Sequence, residues 1–344
     1  MRKLLNTLYV STQGSYLRKE GETIVVEQET KKVLQLPIHG LGGLVCFGSV
    51  LCSPFLLGFC AERDVSVSFL TEYGRFLASV RGPVSGNVLL RREQYRKADD
   101  LRITREVSAN IVSAKVANSR VTVNRTLRDH KTKVNRDAMK TASTQMAGYI
   151  RQVEKKATTT DEVRGIEGIA AAHYFSVFNH LIIDQKEDFV FRERSRRPPL
   201  DEVNALLSFT YTLLAHDVRS ALETVGLDPS VGFLHRDRPG RPGLALDLME
   251  EFRPVIADRL VLSLINRRQI GKSGFKRAEN GAVVMSDDTR KTLLTEYQTR
   301  KQTEVHHPYI EETIPIGLLF FVQANLLARF IRGDIDGYPP FFWR

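Results

Sequence analysis

The chain has 344 residues, 42% hydrophobic and 26% charged, which excludes a disordered or fibrous protein and leaves room for two cores, since single cores stop growing near roughly 250–300 residues. The net charge is +10 and the excess is local: Arg91 to Lys156 holds 17 Lys/Arg against 7 Asp/Glu, while the remainder carries 33 of each sign. Such a stretch attracts nucleic acid or anionic lipid; a solvated helical face is the plainer alternative.

The first eighty residues read as strands over Leu4–Val10, Thr23–Val26, Lys32–Leu36, Leu44–Phe47, Val65–Phe69 and Phe76–Ser79, punctuated by glycine-containing turns. Leu41 to Cys60 is uncharged and about the length of a membrane span. Gly42, Gly43, Gly48, Ser53 and Pro54 interrupt it, and Ser53-Pro54 reads as an N-cap followed by proline at the first helical position. The stretch therefore divides into a buried strand and a short helix, Pro54–Ala61. Cys46, Cys52 and Cys60 lie within it at spacings matching neither a zinc site nor a redox pair, so they read as small buried hydrophobes in a reducing cytoplasm. The N-terminus lacks an apolar h-region and a cleavage site, so nothing suggests secretion. Residues 1–80 are expected to form a small β-rich domain, and 81–90, with Arg81-Gly-Pro-Val-Ser-Gly-Asn87, a linker.

From Val88 onward the apolar period is helical, which predicts a larger, mostly α domain over 91–344 and an α+β chain as a whole. Pro198-Pro199 followed by Asp201 and Glu202 marks a helix start. Leu206, Leu207, Phe209, Leu213, Leu214, Val218, Ala221, Leu222 and Val225 keep its spacing, and Gly226 ends it. Ile316 to Phe330 contains Gln323, Asn325 and Arg329, too short and polar to span a membrane, and reads as a core or interface helix.

Three places set polar groups where a core pattern predicts apolar ones. In Arg164-Gly-Ile-Glu167-Gly-Ile-Ala-Ala-Ala-His-Tyr-Phe175, glycine and alanine surround Glu167, so backbone or nucleic acid can approach it closely; the alternative is a small-residue helix with Glu167 at its solvent edge. Val231-Gly-Phe-Leu-His235 ends in an imidazole and enters the loop of Arg236, Arg238 and Arg241, residues that pair with phosphate. A satisfied core or cap histidine is the alternative there. In Leu244-Ala-Leu-Asp247-Leu-Met-Glu250-Glu-Phe-Arg253-Pro254, Asp247 and Glu250 stand three residues apart, so on a helix both carboxylates share a face, and Pro254 bends the chain beside them. An ordinary acidic face paired with Arg253 is the alternative.

Two or three carboxylates with one imidazole suit Mg²⁺ or Mn²⁺ and suit structural zinc poorly. An ion so held can activate a hydroxyl and stabilise charge developing at phosphorus. No Gly-rich Lys loop and no Gly-x-Ser-x-Gly elbow occurs. His306-His307-Pro308 is a lesser candidate for metal or DNA contact, with a surface loop as the plainer reading. Because clustered carboxylates repel without a cation, Glu167→Ala or Glu250→Ala is expected to leave the protein folded or slightly more stable in chelator.

At these residues the sequence resembles the integrase subunit of the CRISPR adaptation complex, closest to subtype I-C members. The resemblance runs in order through Leu4–Val10, Gly74–Ala78, Gly86–Arg91, Gln94-Tyr-Arg96, Arg164–Gly168, Arg197–Pro199, Asn204–Ser208, Gly232–His235 and Asp247–Pro254. It implies an N-terminal β domain that dimerises and a C-terminal α domain. It further implies a homodimer flanking a smaller ferredoxin-like subunit, double-stranded DNA as fragment and target, and an accessory trimming nuclease. The family's metal ligands fall on Glu167, His235 and Glu250. Many relatives have aspartate at the last position, so Glu250 is a departure, and Asp247 is a further candidate ligand. The implied reaction is attack of a 3′-hydroxyl on a phosphodiester at the repeat boundary, with nuclease activity when water is the nucleophile. The stretch from Arg91 to Lys156 becomes the candidate DNA surface, with Arg91, Arg92, Arg96, Arg236 and Arg238 as phosphate contacts and Tyr95 able to stack on a base. A non-catalytic nucleic-acid scaffold is the other class of function.

Overall fold

A computed structural model describes residues 6–63, 65–72, 76–80, 88–130, 132 and 134–343. The chain is α+β and divides into two compact units, Met1–Gly86 with Asp287–Glu304 and Pro315–Leu318, and Asn87–Ser286 with Val305–Ile314 and Leu319–Arg344.

Among the described residues the first unit holds eight strands: β1 Asn6–Val10, β2 Tyr16–Glu20, β3 Thr23–Gln28, β4 Lys31–Pro37, β5 Leu41–Phe47, β6 Leu51–Cys52, β7 Ser66–Leu70 and β8 Phe76–Val80. One sheet has the order β1-β5-β7-β8, parallel up to β7 with β8 antiparallel, and the other the order β4-β3-β2-β6. The expected strands are present, the first of them over Asn6–Val10, since Leu4 and Leu5 lie outside the described residues. β2 and β6 went unrecognised: Tyr16–Glu20 holds two apolar residues among three polar ones, and β6 is a two-residue parallel pairing with β2 that no local pattern announces. Helix α1, Pro54–Glu62, begins as read, with Ser53 Oγ accepting from Leu56 N at 3.2 Å. Leu17, Ile24, Leu44, Cys46, Leu56, Phe59, Cys60 and Val67 are core. Cys46 and Cys52 stand with their sulfurs 3.7 Å apart as free thiols, a proximity their spacing did not announce.

The second unit is built on helices α2 Val88–Asp99, α3 Leu101–Asp129, α4 Arg136–Lys155, α5 Thr160–Ser176, α6 Phe178–Leu181, α7 Glu202–Thr224, α8 Gly243–Met249 and α9 Arg259–Asn266. Residues 88–90, read as the end of the linker, open α2; residues 81–87 lie outside the described residues. α7 starts at the Asp201 cap, whose carboxylate accepts from Asn204 N at 2.7 Å, and Gly226 follows with φ +89°. α3 packs against both α4 and α5 and buries Val107, Ile111, Val112, Val116 and Val123 together with Ser108, Ser113, Asn118 and Thr122.

One segment departs from the expected division at 91–344. Helix α10, Asp287–Gln302, belongs to the strand-rich unit: Gln298 Nε2 donates to Thr7 O at 2.9 Å and the buried Arg290 donates to Glu72 O at 2.6 Å. A helix contributed to a distant sheet has the same local period as any other, so its place is a tertiary fact. α11, Ile316–Arg332, buries Leu319, Phe320, Ala324, Leu327 and Ile331. Among the described residues no helix is long and apolar enough to cross a membrane.

Candidate active site

α5 starts on a capping box: Thr159 Oγ1 accepts from Glu162 N at 3.2 Å while Glu162 Oε2 accepts from Thr159 N at 3.4 Å. This fixes the start of the helix and with it the direction of Glu167, whose flanking Gly165 and Gly168 have open space where a Cβ would stand. Arg164, one turn before Glu167, donates its Nε to Leu234 O at 2.6 Å and so ties α5 to the segment that carries His235.

That segment is held by Asp247. Its Oδ2 accepts from the backbone N–H of Phe233 (2.6 Å) and Leu234 (2.9 Å), and its Oδ1 from His235 N (2.9 Å) and from the His235 ring at Nδ1 (2.5 Å). The Asp247 side chain is fully buried. A carboxylate already surrounded by donors cannot give a proton to the ring, so Nδ1 carries a hydrogen, and in the neutral form of the ring Nε2 is the nitrogen that keeps its lone pair. The candidate ligand Asp247 therefore has both oxygens committed to orienting His235. Close packing at Gly232 makes this possible: a Cβ there would stand 2.6 Å from Asp247 Oδ2 and 2.8 Å from the Gly243 carbonyl carbon. Gly232→Ala must push the carboxylate or the backbone aside, at a cost of about 1–3 kcal/mol. The expected result is a melting temperature lowered by several degrees and catalysis reduced well beyond that loss, measured on the folded fraction. Unchanged melting and activity would show that Asp247 and His235 relax freely.

Glu250 does not share a continuous helix with Asp247. α8 ends at Met249, Glu250 caps it, and a π-helical turn follows over Arg253–Asp258, beside Pro254 as the proline leads one to expect. The two side chains diverge, Asp247 to the histidine loop and Glu250 to cations. Lys115, on α3, reaches both remaining carboxylates: its Nζ pairs with Glu167 Oε1 and lies 2.7 Å from Glu250 Oε2, while Arg253 Nη1 lies 3.2 Å from Glu250 Oε1. Burial pushes the Glu250 carboxyl up, but Arg253 and Lys115 outweigh it and hold it at about 2, and His235 adds in the same direction. Lys115 was missed in the sequence, where its signal was a lone cation inside Ile111-Val-Ser-Ala-Lys115-Val-Ala.

Among the described residues no three His, Cys, Asp or Glu side chains close on one point as they stand. The donor chemistry nonetheless fits a divalent cation. Two carboxylates from separate elements already share one positive group, the Lys115 ammonium. Glu250 Oε2 is buried without a well-angled hydrogen bond, and the imidazole Nε2 is left free. Beside them opens a small cleft lined by Lys115, Glu167, Arg196, Tyr211 and Arg253.

The candidate DNA contacts are placed unevenly. Arg91 Nε donates to Gly226 O at 3.1 Å, Tyr95 OH to Asp228 Oδ2 at 2.9 Å, and the buried Gln94 binds Asp228 and Val231 backbone, so this face of α2 clamps the loop leading to His235. Arg96 pairs with Glu93 at 3.3 Å, and Arg236 makes a two-pronged contact with Asp161 at 2.9 Å. Arg92 and Arg238 are exposed. Arg105, within the basic stretch, spends its charge on the carbonyls of Val153 and Ala157. His307 is buried, with Nε2 on Gln323 Oε1 at 2.9 Å and Nδ1 accepting from Tyr309 N, which makes it a structural group.

Carboxylates, an imidazole and arginines gathered beside an open cleft are the donor types of nucleic-acid-processing enzymes. Comparison with known proteins gives that class its family. Residues 8–299 match the family described as CRISPR associated protein Cas1. The chain is 57% identical to CRISPR-associated endonuclease Cas1 1 of Chlorobaculum tepidum over the whole of both chains, and 52% identical to CRISPR-associated endonuclease Cas1 2 of Rhodospirillum rubrum, again over both. A Cas1 protein from Thermotoga maritima has the same fold, with TM-score 0.81 at 25% identity over 95% of this chain and 97% of that one. A casposase bound to integration product shares the fold at TM-score 0.83 and 22% identity, covering 97% and 93%. The chain belongs to the Cas1 family of CRISPR-associated endonucleases.

Proposed function

We propose that this chain inserts short DNA fragments into a CRISPR array by attack of a 3′-hydroxyl on a phosphodiester, and cuts branched DNA when water replaces that hydroxyl. The observation that carries the reading is the pairing of Glu167 and Glu250 through one cation beside an imidazole whose Nε2 is kept free by Asp247. Glu167, His235 and Glu250 would hold Mg²⁺ or Mn²⁺, which supplies Lewis-acid polarisation of the phosphate and neutralises its charge. The remaining work falls to the chain. Asp247 fixes the His235 tautomer, and Arg253 and Lys115 supply positive charge at a site that must take an anionic backbone. Arg196, Arg92 and Arg238 are the cations best placed to meet further phosphates.

The reading includes a homodimer, a smaller ferredoxin-like Cas partner, double-stranded DNA, a trimming nuclease and action in the cytoplasm, and takes the chain as closest to subtype I-C members. A relative 35% identical over 98% of this chain is a Cas4/Cas1 fusion of Geobacter sulfurreducens, and a Cas6-RT-Cas1–Cas2 complex contains a chain of this fold; both support such company. The test is incubation with the smaller subunit, a fluorescent fragment with 3′-hydroxyl ends and a supercoiled plasmid carrying the repeat. Label should enter the plasmid with Mn²⁺ and not with chelator or 3′-deoxy ends. Cation-dependent cutting of branched DNA without transfer would reduce the reading to a nuclease, and DNA binding with neither activity would favour the scaffold.

A further inference from the structure

In the wall of the cleft Asp258, Tyr174 and Tyr211 form a buried polar cluster that the proposed chemistry does not use. Asp258, 1% exposed, ends the π-helical turn and receives one hydroxyl on each oxygen: Tyr211 OH on Oδ1 at 2.6 Å and Tyr174 OH on Oδ2 at 2.9 Å. Two guanidinium groups lie over the Tyr211 ring, Arg253 at 5.0 Å and Arg194 at 5.3 Å from its centroid. Arg194 is fixed independently, on Asn204 Oδ1 at 2.6 Å and Ser208 Oγ at 3.1 Å. Among the described residues Arg253 pairs with Glu250 Oε1 alone, and its Nε is buried without a hydrogen-bond partner there. A planar cation held at one nitrogen can pivot, so the ring beneath it decides its tilt.

A carboxylate here is costly to bury, and burial pushes the Asp258 carboxyl up to about 6 against the pull of the two tyrosines and of Arg194 and Arg253. An apolar residue would fill the space more cheaply, whereas a satisfied polar group fixes one arrangement. We propose that Asp258 and Tyr211 are positioning residues for the DNA-joining reaction: Asp258 fixes the Tyr211 ring, and the ring holds the Arg253 guanidinium against Glu250. The inference rests on the strand-transfer reading for its kinetic consequence but not for its geometry.

The two tyrosines provide the control, because each gives Asp258 one hydrogen bond and only Tyr211 carries Arg253. Tyr211→Phe, Asp258→Asn and Tyr174→Phe are compared at matched fractions folded. Tyr211→Phe and Asp258→Asn should slow strand transfer at saturating DNA by roughly 10–100-fold, the size of effect seen when a partner orienting an active-site group is lost. DNA affinity in chelator should stay within about 2-fold, and Tyr174→Phe should stay within about 3-fold of wild type in rate, since the Arg253 guanidinium lies over the Tyr211 ring and not over that of Tyr174. The second readout needs no activity: the Arg253 Nε–H resonance in arginine-labelled protein, assigned by its absence in Arg253→Lys, should move in Tyr211→Phe and not in Tyr174→Phe. Equal slowing by both tyrosine variants, or an unmoved Arg253 signal in Tyr211→Phe, would overturn the inference. A wild type that fails to join DNA while the signal still moves would count against the strand-transfer reading and leave the positioning intact.

Discussion

Glu250→Ala should abolish strand transfer and also weaken the fold, while Glu167→Ala should abolish transfer with little loss of stability. The two differ because of their neighbours. Glu250 is buried, paired with Lys115 and Arg253, and held at about 2. Its folded pKa is below its unfolded value, so its contribution is present above about pH 4.3 and lost as pH falls through about 2. At neutral pH, removing it leaves Arg253 buried with an unpaired charge, a loss of about 3–5 kcal/mol. Glu167 is a quarter exposed, and Lys115 keeps Glu250 when Glu167 is gone, so that variant should lose less than about 1 kcal/mol. Repulsion between bare carboxylates would leave both variants neutral or stabilised, but an ammonium and a guanidinium already neutralise them, so the expected sign reverses at Glu250. Both variants should lose transfer by at least ~10³-fold, about 4 kcal/mol of barrier, together with any Mn²⁺-induced rise in melting temperature. Melting curves in chelator decide the first part: a Glu250→Ala protein as stable as wild type would remove the ion pairs from the account.

Phe341→Ala should be the most destabilising truncation close to the site. Phe341 is fully buried, with its ring 5.5 Å from His307 and 6.1 Å from both Phe252 and Trp343, and its N–H donates to Glu251 Oε2 at 2.7 Å. Glu251 is also buried and receives Tyr338 OH at 2.6 Å and Gln323 Nε2 at 3.0 Å. Asn118 on α3 closes the arrangement by donating to Glu251 O and Phe341 O and accepting from Trp343 N. The C-terminal segment thus braces the residue next to Glu250. A cavity of one phenyl ring costs about 3–5 kcal/mol, which for a unit of this size lowers the melting temperature by on the order of 10 °C. Activity should fall at 37 °C and return on cooling, as for a loss of packing. Activity lost at every temperature would assign the segment a direct role.

The sequence by itself determined the α+β division, the α1 start at Ser53-Pro54, the α7 start at Asp201 and the three segments that carry Glu167, His235 and Glu250, because caps, glycines and hydrophobic period are local signals. It also marked the bend at Pro254. Tertiary structure alone decided which carboxylate does what. Asp247 and Glu250 are three residues apart and look equivalent in the chain, yet one is consumed by three backbone N–H groups and an imidazole and the other faces two cations. Nor does the basic excess declare its use. Lys115 lies between the acids, Arg105 binds carbonyls and Arg91 clamps a loop, since a charge count says nothing of which side chains point inward. Helix α10 joins the strand-rich unit, and the pairing of Asp258 with Tyr174 and Tyr211 links residues 84 and 47 positions apart. Contacts at such separations leave no periodic trace in a sequence, because they are set by how whole elements pack and not by the preferences of the residues within them.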